Sequence, residues 1–342
     1  MAQIDGYIFD EPLVLLAEDG GFFDQPDRGI AYRISGKTWV NNHAHVLRPR
    51  NGIDLGFLCR VLENYDVTPF VTGTTRGKLT KAGASEIPIP LPPLTDQRRI
   101  AEVLDRAEAL RAKRRAALAQ LDTLTQALFF DLFGDAKSNP RTWPIQPVSA
   151  YVAEFQGGKS IEAESGENVV TRNRVLKVSA VTEMEFRPEE SKPVPDSYVP
   201  PGEHFVRPGD LLFSRANTTE LVGAVAYVDT TPPNVLLPDK LWRFVWRTPA
   251  VVEPLFVWTL FQTPEVRREI GRRATGTSGS MKNISQEKLL GISTILPPLG
   301  MQREFARRVS AVEKLKTAHR ISLAEIDALF ASLQHRAFRG EL

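Results

Sequence analysis

The sequence holds little that could build a disulfide or a metal centre. Its 342 residues include one cysteine, Cys59, and five histidines. A single cysteine excludes a disulfide within the chain and is typical of a reducing compartment, so we expect a cytoplasmic protein. His43 and His45 stand two residues apart, but no acidic or thiol ligand accompanies them, and no metal site is expected.

The chain also lacks a long apolar run and a strong charge imbalance. No stretch is apolar for long enough to cross a bilayer, and the first residues have acidic groups where a signal peptide would be basic. The net charge is +2 and the isoelectric point is about 8.6. This balance permits a nucleic-acid partner without requiring one, since basic residues need only gather on one face.

Signatures of catalysis are missing as well. There is no glycine-rich loop after a strand, no Asn-Pro-Pro-aromatic methylation motif and no P-loop lysine. Neither Pro195-Asp196 nor Pro238-Asp239 is followed at a suitable distance by the Glu-x-Lys pair of a nuclease. We therefore expect no catalytic residues, and a standalone nuclease is the weakest of the alternatives.

What the sequence does contain is an internal repeat. LPPLTDQRRIAEVLDRAEAL at residues 91–110 returns as LPPLGMQREFARRVSAVEKL at 296–315, which is 205 residues later. Each copy predicts a Thr/Gly/Ser loop, a short strand, a proline stop and then a helix of roughly 35 residues, about 50 Å long. The first copy has only 90 residues before its stop, so we expect Met1 to lie inside a domain whose front is incomplete.

Apolar residues recur along both helices with a period near 3.5, which is typical of helices that pair. The predicted seam comprises Ile100, Leu104, Ala107, Leu110, Leu118, Leu121, Leu124 and Leu128, then Phe305, Val309, Val312, Leu315, Leu323, Ile326, Leu329 and Leu333. Arg114 and His319 interrupt it at equivalent positions, where a polar residue can fix the register. We predict an intramolecular coiled coil; the alternative is that each helix packs separately on its own domain.

Polar residues gather after the predicted strand RPGDLLFSR of the second copy. Arg215 can pair with guanine and Asn217 with adenine in the major groove. The loop ATGTSGSMKN offers hydroxyls and a positive charge that suit phosphate contacts. The other candidates of this copy are Thr218, Lys240, Arg243, Thr275, Thr277, Ser278, Ser280, Lys282 and Asn283. The alternative for both stretches is a polar surface loop with local turns.

The first copy offers a similar set. Its candidates for nucleic-acid contact are Lys37, Asn41, Asn42 and His43 in SGKTWVNNHAH, with Thr74, Thr75, Arg76 and Lys78 in VTGTTRGKL. The tryptophans Trp242, Trp246 and Trp258 alternate with apolar neighbours, so we expect them in a core rather than as platforms for bases.

The whole plan resembles the specificity subunit of type I restriction–modification systems. The two proline-stop helices, RPGDLLFSRANT, TGTSGSMKNIS and the ending AFRGEL carry the likeness, which covers essentially the whole chain. The resemblance implies two target-recognition domains, each reading half of a split sequence in double-stranded DNA, with the long helices antiparallel between them. It also implies modification (methyltransferase) subunits and a restriction (translocase/nuclease) subunit as partners, which alone would use S-adenosylmethionine and ATP.

The expected fold is α+β: two mixed α/β target-recognition domains in a pseudo-two-fold repeat, joined by two long antiparallel helices that form a coiled coil. The expected boundaries are 1–93 for the first, incomplete domain, 94–135 for the first helix, 136–297 for the second domain and 298–342 for the second helix. Two other functions stay open. The chain could be a scaffold subunit deficient in DNA binding, or a half-recognition subunit that forms a homodimer or is completed by another chain.

Overall fold

The computed structural model describes residues 5–25, 28–63, 65–73, 76–161, 171–278 and 281–338. The helices within these residues are α1 Leu55–Glu63, α2 Lys81–Glu86, α3 Leu94–Phe133, α4 Pro254–Gln262, α5 Pro264–Arg273, α6 Gln286–Leu290 and α7 Leu299–Phe338. None of these described helices combines the length and the hydropathy needed to span a bilayer. Both long helices of the repeat, α3 and α7, are present, and the predicted α+β class is confirmed.

The strands are short and belong to several small sheets. Those of the first half are β1 Phe9–Asp10, β2 Leu13–Ala17, β3 Ala31–Ile34, β4 Lys37–Thr38, β5 Ala44–Leu47, β6 Val71–Thr72 and β7 Lys78–Leu79. Those of the second half are β8 Ile145–Pro147, β9 Val152–Gly157, β10 Arg174–Leu176, β11 Ser191–Pro193, β12 Leu211–Ser214, β13 Ala216–Asn217, β14 Val225–Tyr227, β15 Val235–Leu236, β16 Leu241–Trp246, β17 Thr275–Ser278, β18 Met281–Asn283 and β19 Ser293–Ile295.

The chain forms two compact units that divide the long helices. Unit 1 comprises residues 1–119 and 317–342, and unit 2 comprises residues 120–316. Each unit therefore contains the beginning of one long helix and the end of the other. The sequence-based boundaries instead set each whole helix apart as a spacer.

Unit 1 is built on the three-stranded antiparallel sheet β3-β2-β5. Its central strand β2 is buried from Leu13 to Leu16. Leu58 and Leu62 on one side of α1 pack against this sheet, and Phe57 on the other side packs against the beginning of α3. Helix α1 is thus apolar on two sides because it lies between a sheet and a helix.

Unit 2 is built on the four-stranded sheet β14-β12-β16-β9. Helix α4 covers it as α1 covers the sheet of unit 1. Phe129 and Phe133 from the end of α3 meet Phe256 of α4 and Phe305 of α7, with ring centroids between 5.0 and 5.7 Å apart. Such aromatic contacts contribute beyond the area they bury.

A buried glutamine explains why the same Gln-Arg pair opens both long helices. Gln97 Oε1 accepts the backbone N–H of Asp54 at 2.8 Å, and its amide donates to the carbonyls of Gly52 and Pro92. Gln302 does the same in unit 2, accepting from Glu253 at 2.9 Å and donating to Pro297 at 2.7 Å. Each side chain joins the start of a long helix to the start of the short helix beneath it and to its own proline stop.

The copies differ in the strand expected before the proline stop. In the second copy it is β19, which pairs with β8. In the first copy the described residues 87–93 form no strand, so this part of the prediction is wrong there. The equivalent segment contains Pro88 and Pro90, which have no N–H to donate to a neighbouring strand.

The seam between the long helices also differs from the prediction. Leu110, Leu124, Leu315 and Leu329 are exposed by 52%, 39%, 53% and 54%, so all four lie off the seam. Their neighbours Arg111, Thr125, Lys316 and Phe330 face inward instead. The prediction followed the apolar residues and left a step of eight between Leu110 and Leu118. The inward-facing positions 104, 107, 111, 114, 118, 121 and 125, which are buried or half-buried, instead follow alternating steps of three and four.

Charged residues inside the seam are matched by carboxylates from both helices. In unit 1, Arg111 binds Asp327 at 2.5 Å and Glu108 at 2.5 Å, and its guanidinium lies 4.5 Å from the centroid of the Phe330 ring. In unit 2, Lys316 binds Asp122 at 2.9 Å and Glu313 at 3.2 Å. A second contact in each unit gives the direction: position 114 meets 319 in unit 1, and position 133 meets 305 in unit 2. The two helices therefore run antiparallel within each unit, as predicted.

Burial and these acids act in opposite directions on the buried lysine. Desolvation disfavours the charged ammonium, but the hydrogen bonds and charges of Asp122 and Glu313 outweigh it and raise the pKa of Lys316. The lysine is therefore a cation at neutral pH. Between the two clusters in sequence, a terminal nitrogen of Arg114 lies 3.1 Å from Nδ1 of His319, so the two polar interruptions of the seam meet.

Replacing Gln302 with leucine should lower the free energy of unfolding of unit 2 by about 2 to 4 kcal/mol, because the Glu253 N–H and the Pro297 carbonyl lose their buried partner. Urea unfolding followed by circular dichroism measures the change. Gln120→Leu, at an exposed position of α3, is the matched control and should stay within about 0.5 kcal/mol. Equal effects of the two changes would contradict the role assigned to Gln302.

Lys316→Met should lower the stability by about 1 to 3 kcal/mol, since Asp122 and Glu313 lose their cation while remaining partly exposed. Leu315→Gln, one residue away, should change it by less than about 0.5 kcal/mol. The denaturant midpoints of the two variants distinguish the seam seen in the structure from the seam predicted from the apolar residues. A larger loss for Leu315→Gln would restore the seam predicted from the apolar residues.

Candidate nucleic-acid interface

The structure brings the two candidate stretches of the second copy together. Strand β13 lies beside β18, with Ala216 opposite Asn283 and Asn217 opposite Lys282. Strand β18 in turn pairs with β17, so RANTT and TGTSGSMKN form one three-stranded sheet, β13-β18-β17. We call this sheet with Arg215 and Lys240 the reading sheet. Sequence alone gave no reason for residues near 216 and 283 to be neighbours.

Arg215 begins the reading sheet and its guanidinium is held on two sides. Its Nε donates to the Asp239 carbonyl at 2.8 Å, and a terminal nitrogen lies 3.7 Å from the Asp239 carboxylate. The guanidinium carbon lies 5.6 Å from the centroid of the Trp242 ring. The side chain remains 31% exposed, so donors of the fork stay accessible to a ligand. An arginine fixed in this way loses little conformational freedom on binding.

Asn217 is engaged by its own loop. Its Oδ1 accepts the Thr218 N–H at 2.8 Å, and its amide nitrogen lies 3.5 Å from the Ser214 hydroxyl. These are the local contacts of a turn-forming asparagine, the alternative that the sequence left open. Thr218 continues this turn, since its carbonyl accepts the Leu221 N–H at 3.2 Å.

The remaining candidates of unit 2 lie at different depths. Lys282 is half-buried and its ammonium donates to the Gly276 carbonyl at 2.8 Å. Thr275 is exposed, Asn283 and Lys240 are half-buried, and Arg215 N–H donates to the Lys240 carbonyl at 3.1 Å. Thr277 and Ser278 belong to β17, but their side chains lie outside the described part of the structure, as does Ser280 entirely.

Arg243 lies inside unit 2 rather than on the reading sheet. It is only 9% exposed. Its guanidinium binds the Asp210 carboxylate at 2.8 Å, donates to the Glu203 carbonyl at 3.0 Å and also donates to the Phe205 carbonyl. Burial raises the pKa of Asp210 even though Arg207 and Arg243 oppose this. This position suits a structural arginine, and we do not carry Arg243 into the proposed interface.

Unit 1 contains an equivalent site with the opposite charge at its centre. In unit 2 the backbone of Arg215 donates to Lys240 and accepts from Ile284, both at 3.1 Å. In unit 1 the backbone of Glu18 donates to His43 at 2.9 Å and accepts from Leu79 at 2.8 Å. Glu18 therefore occupies the place of Arg215. Sequence matching missed this equivalence because the two loops share almost no residues.

Acidic side chains pair with the basic candidates of unit 1. Glu18 binds Lys78 at 3.0 Å, while Asp19 binds His43 at 2.7 Å and Arg76 at 3.1 Å. Each of these basic groups thus faces a carboxylate that would repel a phosphate. The signal was present in the sequence as the Glu-Asp pair after β2, but charge alone did not indicate which basic residues it would meet.

The other first-copy candidates are scattered. Lys37 is exposed, with its ammonium 5.0 Å from the centroid of the Tyr7 ring. Asn41 accepts the His43 N–H at 3.1 Å, and Asn42 is exposed. Thr74 and Thr75 lie outside the described residues.

Comparisons with known proteins find similarity to one family. Residues 1–120 match the family model of the type I restriction modification DNA specificity domain. A Haemophilus influenzae protein named as a type I restriction enzyme specificity subunit is 40% identical over 107 residues, 31% of this chain and 27% of that protein. The EcoKI specificity subunit of Escherichia coli is 28% identical over 320 residues, 87% of this chain and 68% of the relative.

A solved structure has the same fold. The S subunit of a type I restriction-modification system from M. genitalium matches with a TM-score of 0.63 at 11% identity, covering 98% of this chain and 85% of the other. The matches confirm the resemblance to type I restriction–modification specificity subunits that was stated from the repeat, and residues 1–120 match the family model itself. The chain spans only 27% of the length of the Haemophilus relative in their alignment.

Arg243→Met should destabilise unit 2 by about 2 to 4 kcal/mol, because the buried Asp210 carboxylate and two carbonyls lose their partner. Lys282→Met, on the reading sheet, should cost less than about 1 kcal/mol. Thermal unfolding of both variants measures the difference. If Arg243→Met unfolds like the wild type, its contacts are not structural and its exclusion from the interface is wrong.

Proposed function

We propose that this chain is the sequence-specific DNA-binding subunit of a type I restriction–modification complex, in which unit 2 reads one half of a bipartite target. The reading sheet is the face that contacts DNA. Arg215 reads a guanine in the major groove, and Lys240 and Lys282 lie close to the phosphates.

The observation that carries this proposal is the state of Arg215. Arginine reads guanine by donating two parallel hydrogen bonds to O6 and N7, which requires a planar fork in a fixed orientation. Asp239 and Trp242 supply that orientation before any ligand is bound. A guanidinium that is held but still partly exposed suits recognition better than the buried Arg243 does.

The two units have different parts in this proposal. Because Glu18 stands where unit 2 has Arg215, the equivalent surface of unit 1 offers a carboxylate to an incoming base or phosphate. Unit 1 therefore contributes little to affinity in its present form. A bipartite target would be read tightly on one side and weakly on the other.

Catalysis in this proposal belongs to other chains. Modification subunits would bind S-adenosylmethionine and methylate DNA, and a restriction subunit would use ATP to translocate and cleave. This chain would recruit them through the exposed faces of α3 and α7, which carry charged residues such as Lys113 and Arg115 of RAKRRAA at 111–117. A scaffold that only assembles these subunits is the competing function, favoured by the acidic site of unit 1.

Selection from a randomised duplex pool separates the two functions. The purified chain, alone and with a modification subunit, is expected to retain duplexes that share one short motif containing a guanine. Stable assembly with the modification subunit without any enriched motif would favour the scaffold. A split motif with fixed spacing would mean that unit 1 reads its half-site despite Glu18.

Arg215→Ala should weaken binding to the selected duplex by about 10 to 100-fold, as expected for loss of one bidentate contact. It should also relax selection at one guanine position. Lys137→Ala, which removes one exposed positive charge of unit 2 outside the reading sheet, is the charge-matched control. Fluorescence anisotropy at several salt concentrations measures both. Arg215 would be a phosphate contact instead if the variant lost affinity equally for all duplexes and if the slope of log affinity against log salt concentration fell by about one.

A further inference from the structure

The sheet of unit 1 has an edge that its counterpart in unit 2 does not have. In both units the central strand, β2 or β12, pairs with a strand that precedes the first short helix, β5 or β16. In unit 2 the other side of β16 is covered by β9 over the pairs from Trp242–Gly157 to Trp246–Val152. Among the residues that the structure describes, no strand covers the other side of β5.

Burial shows the effect of the uncovered edge. From Leu241 to Phe244, β16 is fully buried. The equivalent residues from Ala44 to Leu47 are all only half-buried. Residues of an antiparallel strand bond alternately to its two sides. Because the His43 carbonyl bonds to Glu18, the backbone groups of Ala44 and Val46 point toward the uncovered side.

We propose that this edge binds an extended segment of another polypeptide as an antiparallel strand with the pattern of β9. That pattern places apolar residues where β9 has Val152 and Phe155, which are buried, and an acid at Glu154. Glu154 lies opposite Val245, whose equivalent in unit 1 is Arg48. Arg48 binds Glu11 at 2.6 Å but remains 64% exposed, so the incoming acid would share this arginine across the strands, a favourable pair.

The same residues disfavour a second copy of this chain as the occupant. Self-pairing of two β5 edges would offer Arg48 no acid across the strands, because β5 and its flanking residues 43–50 read HAHVLRPR and contain none. Basic residues at an edge strand are a common means of preventing edge-to-edge association. A strand that carries an acid opposite Arg48 is therefore favoured over a second copy of β5.

One further contact is present in unit 2 but not in unit 1, and this difference allows a gain-of-function test. In unit 2 the side chain of Gln286 holds the outer side of β9, donating to the Phe155 carbonyl at 2.7 Å and accepting its N–H at 3.3 Å. Helices α2 and α6 have equivalent caps, Thr80 and Ser285, so Lys81 takes the place of Gln286. A lysine can donate to an added strand but cannot accept from it.

The experiment adds a peptide with the sequence of residues 150–158, AYVAEFQGG, to the full-length chain. Hydrogen exchange at Ala44 and Val46 is expected to slow by about tenfold or more at saturation, because both N–H groups become bonded. The same peptide N-methylated at alternate residues is the control and should have no effect. Unchanged exchange at saturating peptide would overturn the proposal. So would protection that is already present in a dimer, detected by sedimentation without peptide.

Lys81→Gln should raise the affinity for the peptide by about fivefold, the effect of one added hydrogen bond of about 1 kcal/mol. Lys81→Met removes the same charge without adding an acceptor and should not raise it. Titration by fluorescence anisotropy compares the two. Equal affinities for both variants would show that the peptide does not lie where β9 lies in unit 2. DNA binding is not involved in this test, so its result is independent of the proposed function.

Discussion

The pairing of the two long helices depends on buried charge rather than on apolar contact alone. Arg111, Glu108 and Asp327 in unit 1 are matched by Lys316, Glu313 and Asp122 in unit 2, and each pair of equivalents is 205 residues apart. A leucine seam is permissive, because sliding one helix along the other replaces leucine with leucine. A slip here would leave a cation in the seam without its carboxylates, which costs several kcal/mol. The register of the antiparallel pair is thus specified twice, once in each unit.

The repeat was visible in the sequence, and much of the fold could be predicted from it. The periodicity and the proline stops were enough to predict both long helices and their pairing. The antiparallel direction of that pairing came from the resemblance to specificity subunits. The exact seam was missed because a search for apolar residues accepts Leu110 and Leu315 and passes over Arg111 and Lys316. A seam with strictly alternating spacings of three and four residues would have included the right positions. It would also have placed charged residues in the seam, which a sequence alone does not justify.

The candidate site was predictable in part, for a related physical reason. Arg215 and the loop around Lys282 were singled out separately from residue type, and their union in one sheet follows from strand pairing across more than sixty residues. Arg243 was chosen for its charge, yet it lies two residues along a buried strand from Leu241 and faces Asp210. The sequence shows that an arginine is present, but its burial determines whether the side chain can bind a ligand or stabilises its own domain.

The two copies show how one backbone arrangement can host opposite chemistry. The hydrogen bonds that fix the backbone at Arg215 and at Glu18 are the same, so the fold does not depend on the side chain there. Only the local partners differ: a tryptophan ring and a carbonyl hold Arg215, while Lys78 offsets the charge of Glu18. The sign of the surface at this point can therefore change without disturbing the sheet, provided that a neighbouring residue changes with it. Divergence of recognition within such a repeat needs few substitutions, because the scaffold already supports either charge.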